Sequence, residues 1–368
     1  MNATEVAESI SLALKKFLHN VEIVSLPLAD GGEGTLEIMK EFYHMNNTIV
    51  VNNAIMQPTL VSYLSDHNQE KVFIESASII GLPMIVPDKR NPMKASSFGL
   101  GETISHAINN GAKEIVVSLG GSATCDGGIG MLTALGFIFF DNFGNRLEGK
   151  GEDLHKIKSI DFSNVIPGLN NVCFKIVCDV VNPLLGKNGT VNIFSSQKGA
   201  QDQDKPILEA GLINLANLAI KSGIDKNNNA GLEGAGAAGG LGYAFITFLN
   251  GLTFKGIDFI LDITNFDNEI NEADLIITGE GKIDRQSLMG KALSGILAHA
   301  KLRNVPVVGI GGSVEDKNEL ILAGLLDAYS ISDSTLSLEE NLKPQKAKEN
   351  IQNCIKNMLK ENIFSRFL

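Results

Sequence analysis

Short apolar runs, many of them rich in β-branched residues, alternate along this chain with longer segments of helical periodicity. The runs that we predict as strands cover residues 21–26, 49–51, 72–74, 115–119, 172–177, 257–261, 275–277 and 305–310. Strands that alternate with helices predict a largely parallel sheet. We therefore expect an α/β fold.

Amphipathic helices are predicted at both ends of the chain. Apolar residues recur at helical spacing over residues 6–18 and again over residues 351–359. No strand run precedes the first of these helices, although a helix in an alternating α/β protein normally follows a strand. The uncharged segment at residues 234–254 contains several glycines and Asn250, so we predict a buried helix there rather than a membrane span.

The chain has 368 residues and a formal net charge of −11 at pH 7. Because a domain of roughly 150 residues is typical, this length predicts two domains. Nucleic acids and anionic membranes bind basic surfaces, so the acidic balance argues against both as partners. The four cysteines lack the spacing of a metal site, and we expect a reducing, cytoplasmic location.

Two segments of the sequence resemble nucleotide-binding motifs, but each lacks a feature that its motif needs. Residues 234–239 read GAGAAG, yet a polar segment stands where the dinucleotide fingerprint of an oxidoreductase needs a strand. Residues 144–151 imitate a P-loop up to its lysine, but Gly151 replaces the hydroxyl that would hold Mg²⁺. The histidines are scattered and form no HxxxH pair. Chemistry is therefore expected from carboxylates, lysines and backbone amides.

Several predicted strands end in loops rich in glycine, acids and hydroxyls. The most pronounced, residues 118–128, reads SLGGSATCDGG. The carboxyl ends of parallel strands share one edge of the sheet, where open α/β folds bind ligands. We expect the amides of Gly120, Gly121 and Ser122 to point into a common anion.

Acidic residues in two further loops favour a divalent cation. Asp30 and Glu33 flank two glycines in LADGGEGT, and Glu280, Lys282 and Asp284 alternate in TGEGKID. Carboxylates are hard ligands suited to Mg²⁺, although helix capping is the alternative for Asp30 and Asp284. The basic groups nearest these loops in sequence are Lys89, Arg90, Lys94, Arg285 and Lys291. Together these parts indicate phosphoryl transfer without a Walker loop.

Five strings in fixed order resemble the bacterial two-domain glycerate kinases (type 1) over nearly the whole chain. They are LPLADGGEGT, RNPMKASSFGLGETISHAINNGAKEIVVSLGGSATCDGGIGM, CDVVNPLLGKNG, GLEGAGAAGGLGYAF and ADLIITGEGKIDRQSLMGKA. The resemblance implies a Rossmann-like parallel-sheet domain built from both chain ends, residues 1–68 with 268–368. A second α/β domain, residues 69–267, is inserted between them. Family members usually begin with a strand and a short loop before the first helix, and this first strand is missing here.

The resemblance also implies an activity, the ATP-dependent phosphorylation of D-glycerate to phosphoglycerate. We expect 2-phosphoglycerate, with the 3-phosphoglycerate product left open. It implies ATP and Mg²⁺ as cofactors, and glycerate and ATP as the small-molecule partners. Neither nucleic acid nor a membrane is expected as a partner, and the oligomeric state, a homodimer included, is open.

The resemblance suggests roles for individual residues in this expected reaction. The catalytic set is Asp179, Asp284 and Lys94. The set for the nucleotide and its phosphates is Gly31, Gly32, Gly120, Gly121, Ser122 and Lys282. The set for substrate is Lys187, Arg285 and Lys291, and the metal ligands are Asp30 and Glu280. Asp126 is expected on the cleft, opposite residues 30–33.

The sequence departs from the family pattern at a few positions. Cys125 stands where Asn is common, and Lys282 stands where Arg is common, which keeps the charge but loses the bidentate fork. The missing first strand leaves an alternative function open, a catalytically impaired protein that binds nucleotide or glycerate without transferring phosphate.

Overall fold

The computed structural model describes residues 1, 3–18, 20–26, 28, 35–288, 292–361 and 363–364. The helices within these ranges are α1 Ala3–Phe17, α2 Thr35–Phe42, α3 Ala77–Ile80, α4 Phe98–Asn109, α5 Ile129–Ala134, α6 Thr190–Phe194, α7 Asp204–Lys221, α8 Leu241–Phe248, α9 Gly256–Ile263, α10 Phe266–Glu269, α11 Ala292–Arg303, α12 Lys317–Leu322, α13 Leu338–Asn341 and α14 Pro344–Lys360. The strands are β1 Met45–Asn52, β2 Pro58–Ser65, β3 Lys71–Glu75, β4 Glu114–Ser118, β5 Ile138–Phe140, β6 Ser159–Asp161, β7 Cys173–Val177, β8 Leu252–Phe254, β9 Ile276–Ile283, β10 Val307–Val314 and β11 Asp327–Ser330.

The chain divides into two compact units, and one of them is built from both chain ends. Unit 1 comprises Met1–Asp30 and Ile257–Leu368, and unit 2 comprises Gly31–Gly256. The boundaries that the sequence suggested follow residues 68 and 267 instead. The first boundary differs because the hairpin β1–β2 continues the sheet of unit 2 through β3, and the second differs because Ile257 and Leu261 pack in a cluster of unit 1.

Unit 2 is centred on a six-stranded sheet in the order β1-β2-β3-β4-β7-β8. The hairpin β1–β2 and the pair β2–β3 are antiparallel, whereas β3, β4, β7 and β8 run parallel. Parallel strands are usually covered on both faces, and residues 115–117 of β4 are fully buried accordingly. The carboxyl ends of four parallel strands therefore form one edge of this unit.

Unit 1 contains a three-stranded parallel sheet in the order β11-β10-β9. On one face, Val308 and Ile310 pack with Leu14 of α1 and Ile355 of α14. On the other face, Val307 packs with buried residues of α9, α11 and α12. The unit is thus a layer of strands between two layers of helices, and the predicted α/β class is confirmed.

Six of the eight predicted strands are present, and the other two runs do not form strands. The runs at 49–51, 72–74, 115–119, 172–177, 275–277 and 305–310 coincide with β1, β3, β4, β7, β9 and β10, and the terminal helices are α1 and α14. The run at 257–261 lies in α9, because a short apolar run fits a buried helix as well as a strand. Residues 21–26 form no strand, since Val21 and Leu26 pack into two different hydrophobic clusters instead of joining a ladder.

The uncharged segment at 234–254 contains α8, most of which is buried in the core of unit 2. This agrees with the prediction of a buried helix after a glycine turn. No helix in the described ranges is long and apolar enough to cross a membrane.

Candidate active site

The loop at residues 118–128, which we call the glycine loop, follows β4 at the carboxyl edge of unit 2. The amides of Gly120, Gly121 and Ser122 donate to no acceptor in the described part of the chain. Gly120 and Gly121 are exposed, and a Cβ placed on Gly120 would meet no atom of the described residues within 4 Å. Gly121 has a φ of 58°, a conformation that glycine adopts without strain. Open amides of this kind can bind an anion.

Backbone contacts hold the glycine loop from two sides. The amide of Leu82 donates to the carbonyl of Gly121 at 2.7 Å, and the amide of Gly127 donates to the carbonyl of Gly239 at 3.0 Å. A Cβ on Gly239 would lie 1.9 Å from the carbonyl oxygen of Thr124, so the two backbones meet only because residue 239 is glycine. The motif GAGAAG, rejected above as a dinucleotide fingerprint, therefore buttresses this loop.

Asp126 lies inside the protein rather than on an open face, which corrects the expectation for this residue. Its Oδ2 accepts hydrogen bonds from the amide and the hydroxyl of Ser97, each at 2.7 Å. Its oxygens also accept from the amides of Gly128 and Gly130 at 3.1 and 3.3 Å. Burial raises the pKa of Asp126, and the hydrogen bonds oppose that shift. The residue joins the glycine loop to α4 and α5.

Lys198 is a buried lysine that the sequence did not reveal as a site residue. Its side chain is 4% exposed, and its Nζ donates to Oγ of Ser122 at 3.0 Å and to the carbonyl of Thr124 at 2.8 Å. Burial lowers the pKa of the Lys198 ammonium from its usual value. Nothing in the spacing around SSQKGA marks this lysine, because its partners lie more than 70 residues earlier in the chain.

Two carboxylates flank the glycine loop on neighbouring strands. Glu75 ends β3 opposite Ser118, and Asp179 follows Val177, which pairs with Ser118 from the other side. Oδ1 of Asp179 accepts a hydrogen bond from the amide of Gly256 at 2.7 Å. The structure thus brings Asp179 to the edge that carries the loop, as the sequence predicted for strand ends.

Glu75 is a second residue that the sequence analysis missed. It is half-buried, burial raises the pKa of its carboxyl group, and no described residue bonds or pairs with that group. The signal was present in the sequence, since an acid directly after an apolar strand is the same pattern that singled out the other loops.

Basic residues of unit 2 line a cavity of about 490 Å³. Its cations are Lys89, Arg90, Lys94 and Lys150. Lys94 is exposed, and Lys150 pairs with Glu148. Of the four, Lys150 alone forms an ion pair with another residue in the described part of the chain. Asp88 also lines the cavity, so Lys94 belongs to a cluster of four cations and one acid.

Lys187 lies elsewhere in unit 2, in the loop after β7. It is exposed and does not line the basic cavity. Oε1 of Glu209 accepts a hydrogen bond from the amide of Gly186 at 2.7 Å, and this contact holds the loop. Lys94, predicted as catalytic, and Lys187, predicted for substrate, are therefore not neighbours around this cavity.

The remaining predicted residues form a charged cluster in unit 1, at the end of β9. Nζ of Lys282 lies 3.1 Å from Oδ2 of Asp284 and 2.9 Å from Oε2 of Glu315. The hydrogen bond from Lys282 lowers the pKa of Asp284, and those to Glu315 and Asp284 raise the pKa of Lys282. Oδ1 of Asp284 also accepts from the amide of Gln286 at 2.7 Å, so Asp284 caps the next turn as well.

Glu280 presents one oxygen without a partner. Its Oε2 accepts a hydrogen bond from the hydroxyl of Ser287 at 2.8 Å, whereas its buried Oε1 has no hydrogen-bond partner among the described residues. An unpaired buried carboxylate oxygen fits a hard cation such as Mg²⁺. Arg285 is exposed, with Nε 3.5 Å from Oε2 of Glu319.

Several predicted residues fall outside the part of the chain that the structure describes. They are Asp30, Gly31, Gly32 and Lys291. In the described ranges, no group of three His, Cys, Asp or Glu residues is arranged to hold a metal ion. Among described residues, Glu280 is therefore the one predicted metal ligand whose surroundings fit a cation.

A largely parallel arrangement of strands whose carboxyl edge carries open amides and carboxylates is typical of α/β enzymes that bind small anions. The glycerate kinase family matches residues 1–362 of this chain. A glycerate kinase from Bacillus cereus (strain ATCC 10987 / NRS 248) is 40% identical over 362 residues, 97% of this chain and 93% of that protein. A glycerate 2-kinase from Escherichia coli (strain K12) is 36% identical over 343 residues, 92% and 89% of the two chains.

A solved structure agrees with these relatives. A protein from Salmonella typhimurium LT2 assigned to glycerate kinase 2 superposes with a TM-score of 0.86 at 35% identity, over 100% of this chain and 96% of that one. The chain belongs to the glycerate kinase family, a family of phosphotransferases, and the resemblance seen in the sequence is confirmed.

Proposed function

We propose that this protein is a glycerate kinase that transfers the γ-phosphoryl group of ATP to the 2-hydroxyl of D-glycerate. The observation that carries the proposal is the family match over residues 1–362, joined by relatives named glycerate kinase that cover nearly the whole chain. This coverage does not favour the alternative of a protein that binds without transferring phosphate.

The open amides of the glycine loop support a place for the nucleotide phosphates. We assign Gly120, Gly121 and Ser122 to the phosphates, because amides that lack protein acceptors can donate to phosphate oxygens. Gly31, Gly32 and Lys282 complete the proposed nucleotide set.

The metal and the substrate are assigned to charged groups of opposite sign. Glu280, with its unpartnered oxygen, and Asp30 are the proposed ligands of Mg²⁺, which when bound would neutralise charge on the β- and γ-phosphates. The proposed groups for the glycerate carboxylate and the moving phosphoryl group are Lys94, Lys187, Arg285 and Lys291. For Lys94, the cluster of cations around its cavity supports an anionic ligand.

The transfer needs one proton acceptor. The 2-hydroxyl oxygen would form a bond to the γ-phosphorus as the bond from that phosphorus to the bridging oxygen of ADP breaks. The hydroxyl proton would pass to a carboxylate, for which we assign Asp179 or Asp284. The hydrogen bond from Lys282 lowers the pKa of Asp284, which favours the carboxylate form that would orient the hydroxyl.

The experiment measures phosphoglycerate formed from D-glycerate, Mg²⁺ and ATP by the purified protein. Enolase and pyruvate kinase consume 2-phosphoglycerate directly, whereas 3-phosphoglycerate needs a mutase as well. We expect a signal without the mutase and none when L-glycerate replaces D-glycerate. Absence of product with and without the mutase would refute the proposed function.

A further inference from the structure

Lys198 differs from the other described lysines and arginines in its burial. No other Lys or Arg in the described ranges is buried. Its ammonium forms no ion pair there, and both of its hydrogen bonds go to neutral oxygens of the glycine loop. Burial of a charge without an ion-pair partner is unfavourable for folding, so this lysine indicates a role other than stabilising the fold.

The hydrogen bonds of Lys198 determine what the glycine loop can offer to a ligand. An ammonium group only donates, so Oγ of Ser122 must accept from it, and the hydroxyl proton of Ser122 is then available for another acceptor. The second bond, to the carbonyl of Thr124, ties down the next part of the loop. The positive charge therefore contacts Ser122, the residue that directly follows the open amides of Gly120 and Gly121.

The segment that carries Lys198 is closely packed against its neighbours. Gly199 has a φ of 95°, and a Cβ on it would lie 2.3 Å from the carbonyl oxygen of Arg90, a residue of the basic cavity. The amide of Lys198 donates to the carbonyl of Ser195 at 3.0 Å. The same short turn thus contacts both the glycine loop and the segment that lines the basic cavity.

We propose that Lys198 is a positioning residue for nucleotide binding, which keeps the amides of the glycine loop turned outward and places a fixed positive charge behind them. The ligand it serves is the polyphosphate of the nucleotide, so the inference rests on the proposed function. The residue acts through the loop and not by touching the reacting atoms.

The test is the affinity of the purified protein for Mg²⁺-ADP, measured by calorimetric titration, because binding of ADP does not depend on turnover. In Lys198→Met the chain keeps similar volume but loses the charge and both hydrogen bonds. We expect ADP to bind about tenfold more weakly or worse. The melting temperature should be unchanged or higher, because an apolar residue replaces a buried charge. A role in stability alone predicts the reverse pattern.

The control is Lys175→Met, which removes a lysine of the same unit that pairs with Glu114 at 2.9 Å on the body of the sheet. Its ADP affinity should equal that of the wild type. Wild-type affinity in Lys198→Met would overturn the proposal. If that variant does not fold, Lys198→Gln decides, because it removes the charge while its amide can still donate a hydrogen bond. Weaker ADP binding then supports the proposal, and unchanged binding overturns it.

Turnover measurements separate this inference from the proposed function. A wild-type protein that binds ADP but forms no phosphoglycerate refutes the kinase assignment, while the role of Lys198 is still decided by the titrations. A wild-type protein that binds no nucleotide refutes both. In an active enzyme, Lys198→Met should raise the KM for ATP more than tenfold and leave the KM for glycerate close to the wild-type value.

Discussion

Oδ2 of Asp126 accepts hydrogen bonds from both the amide and the hydroxyl of Ser97, at 2.7 Å each, although 29 residues separate the two in sequence. This contact joins the segment NPMKASS to the glycine loop. Two parts of one string that carried the family resemblance are thus held together inside unit 2 by one buried carboxylate.

The first prediction concerns this carboxylate. Asp126→Asn puts an NH₂ group among donors, so we expect the free energy of unfolding to fall by about 2 to 3 kcal/mol. Urea denaturation measures the loss. Asp141→Asn is the control, because Asp141 also accepts from two backbone amides but does so in an exposed turn where water replaces the bonds. Equal losses in the two variants would contradict a special role of burial.

The second prediction concerns the pH dependence of stability at Glu75. Burial raises the pKa of this carboxyl group in the folded state above its unfolded value. Its contribution to stability is therefore fully present below the unfolded pKa and is lost as the pH rises through the folded pKa. Because glutamine does not ionise, Glu75→Gln should not lose stability in this way as the pH rises.

We therefore expect Glu75→Gln to be more stable than the wild type at neutral pH and equal to it at pH values below the unfolded pKa of glutamate. Urea denaturation across a pH series checks this. The exposed Glu233→Gln in the same unit should show no such trend. If the wild type is more stable to urea than Glu75→Gln at neutral pH, the carboxylate has a favourable partner.

The third prediction tests the open amides. Gly120→Ala adds a methyl group where the described part of the chain has no atom within 4 Å, at a residue whose φ is not positive, so the fold should be unaffected. The methyl group would occupy space beside the amides, and we expect weaker binding of Mg²⁺-ADP by calorimetry. The control is Gly231→Ala, because Gly231 is exposed and has no described atom within 4 Å of an added Cβ. This variant should bind Mg²⁺-ADP as the wild type does.

The fourth prediction concerns the charged cluster in unit 1. Lys282→Met removes the largest cause of the lowered pKa of Asp284, so that pKa should rise toward its ordinary value. Carboxyl-carbon chemical shifts followed by NMR during a pH titration measure it. Lys317→Met removes a lysine that pairs with Asp327 and should leave Asp284 unchanged. An unaltered titration of Asp284 in Lys282→Met counts against the pairing.

The fifth prediction concerns turnover. If Asp284 accepts or orients the hydroxyl proton, Asp284→Asn should lower kcat by about 100-fold or more and leave the circular dichroism spectrum unchanged. The exposed Asp274→Asn, at the other end of the same strand, should retain wild-type kcat. Full turnover in Asp284→Asn would leave Asp179 as the proton acceptor in the proposed mechanism.

The sequence was informative wherever one local pattern decides the structure. Alternation of apolar runs with helical segments predicted the α/β class, and glycine after β4 predicted the open loop at the sheet edge. The strand prediction at 257–261 was wrong because a short apolar run fits a buried helix and a strand equally well. The strand prediction at 21–26 was wrong because apolar side chains can also pack in a core without their backbone joining a β-ladder.

The site was less predictable because its supporting contacts are distant in sequence. Lys198 reaches Ser122 across 76 residues, and no local spacing encodes such a contact. Asp126 was expected on the cleft because burial cannot be read from a loop sequence. The charged cluster of Lys282 and Asp284 was found because its members lie two residues apart on one strand end.

The packing of α1 against α14 has a consequence for synthesis of the chain. Leu14 of α1 is covered by Ile355 and its neighbours, which are translated more than 300 residues later. At about 5 to 20 residues per second, a ribosome needs on the order of tens of seconds to cover that distance. Throughout this interval the apolar face of α1 lacks its native cover, while the continuous segment of unit 2 can already fold. Helix α1 is therefore where we expect a chaperone at the ribosome to bind the nascent protein.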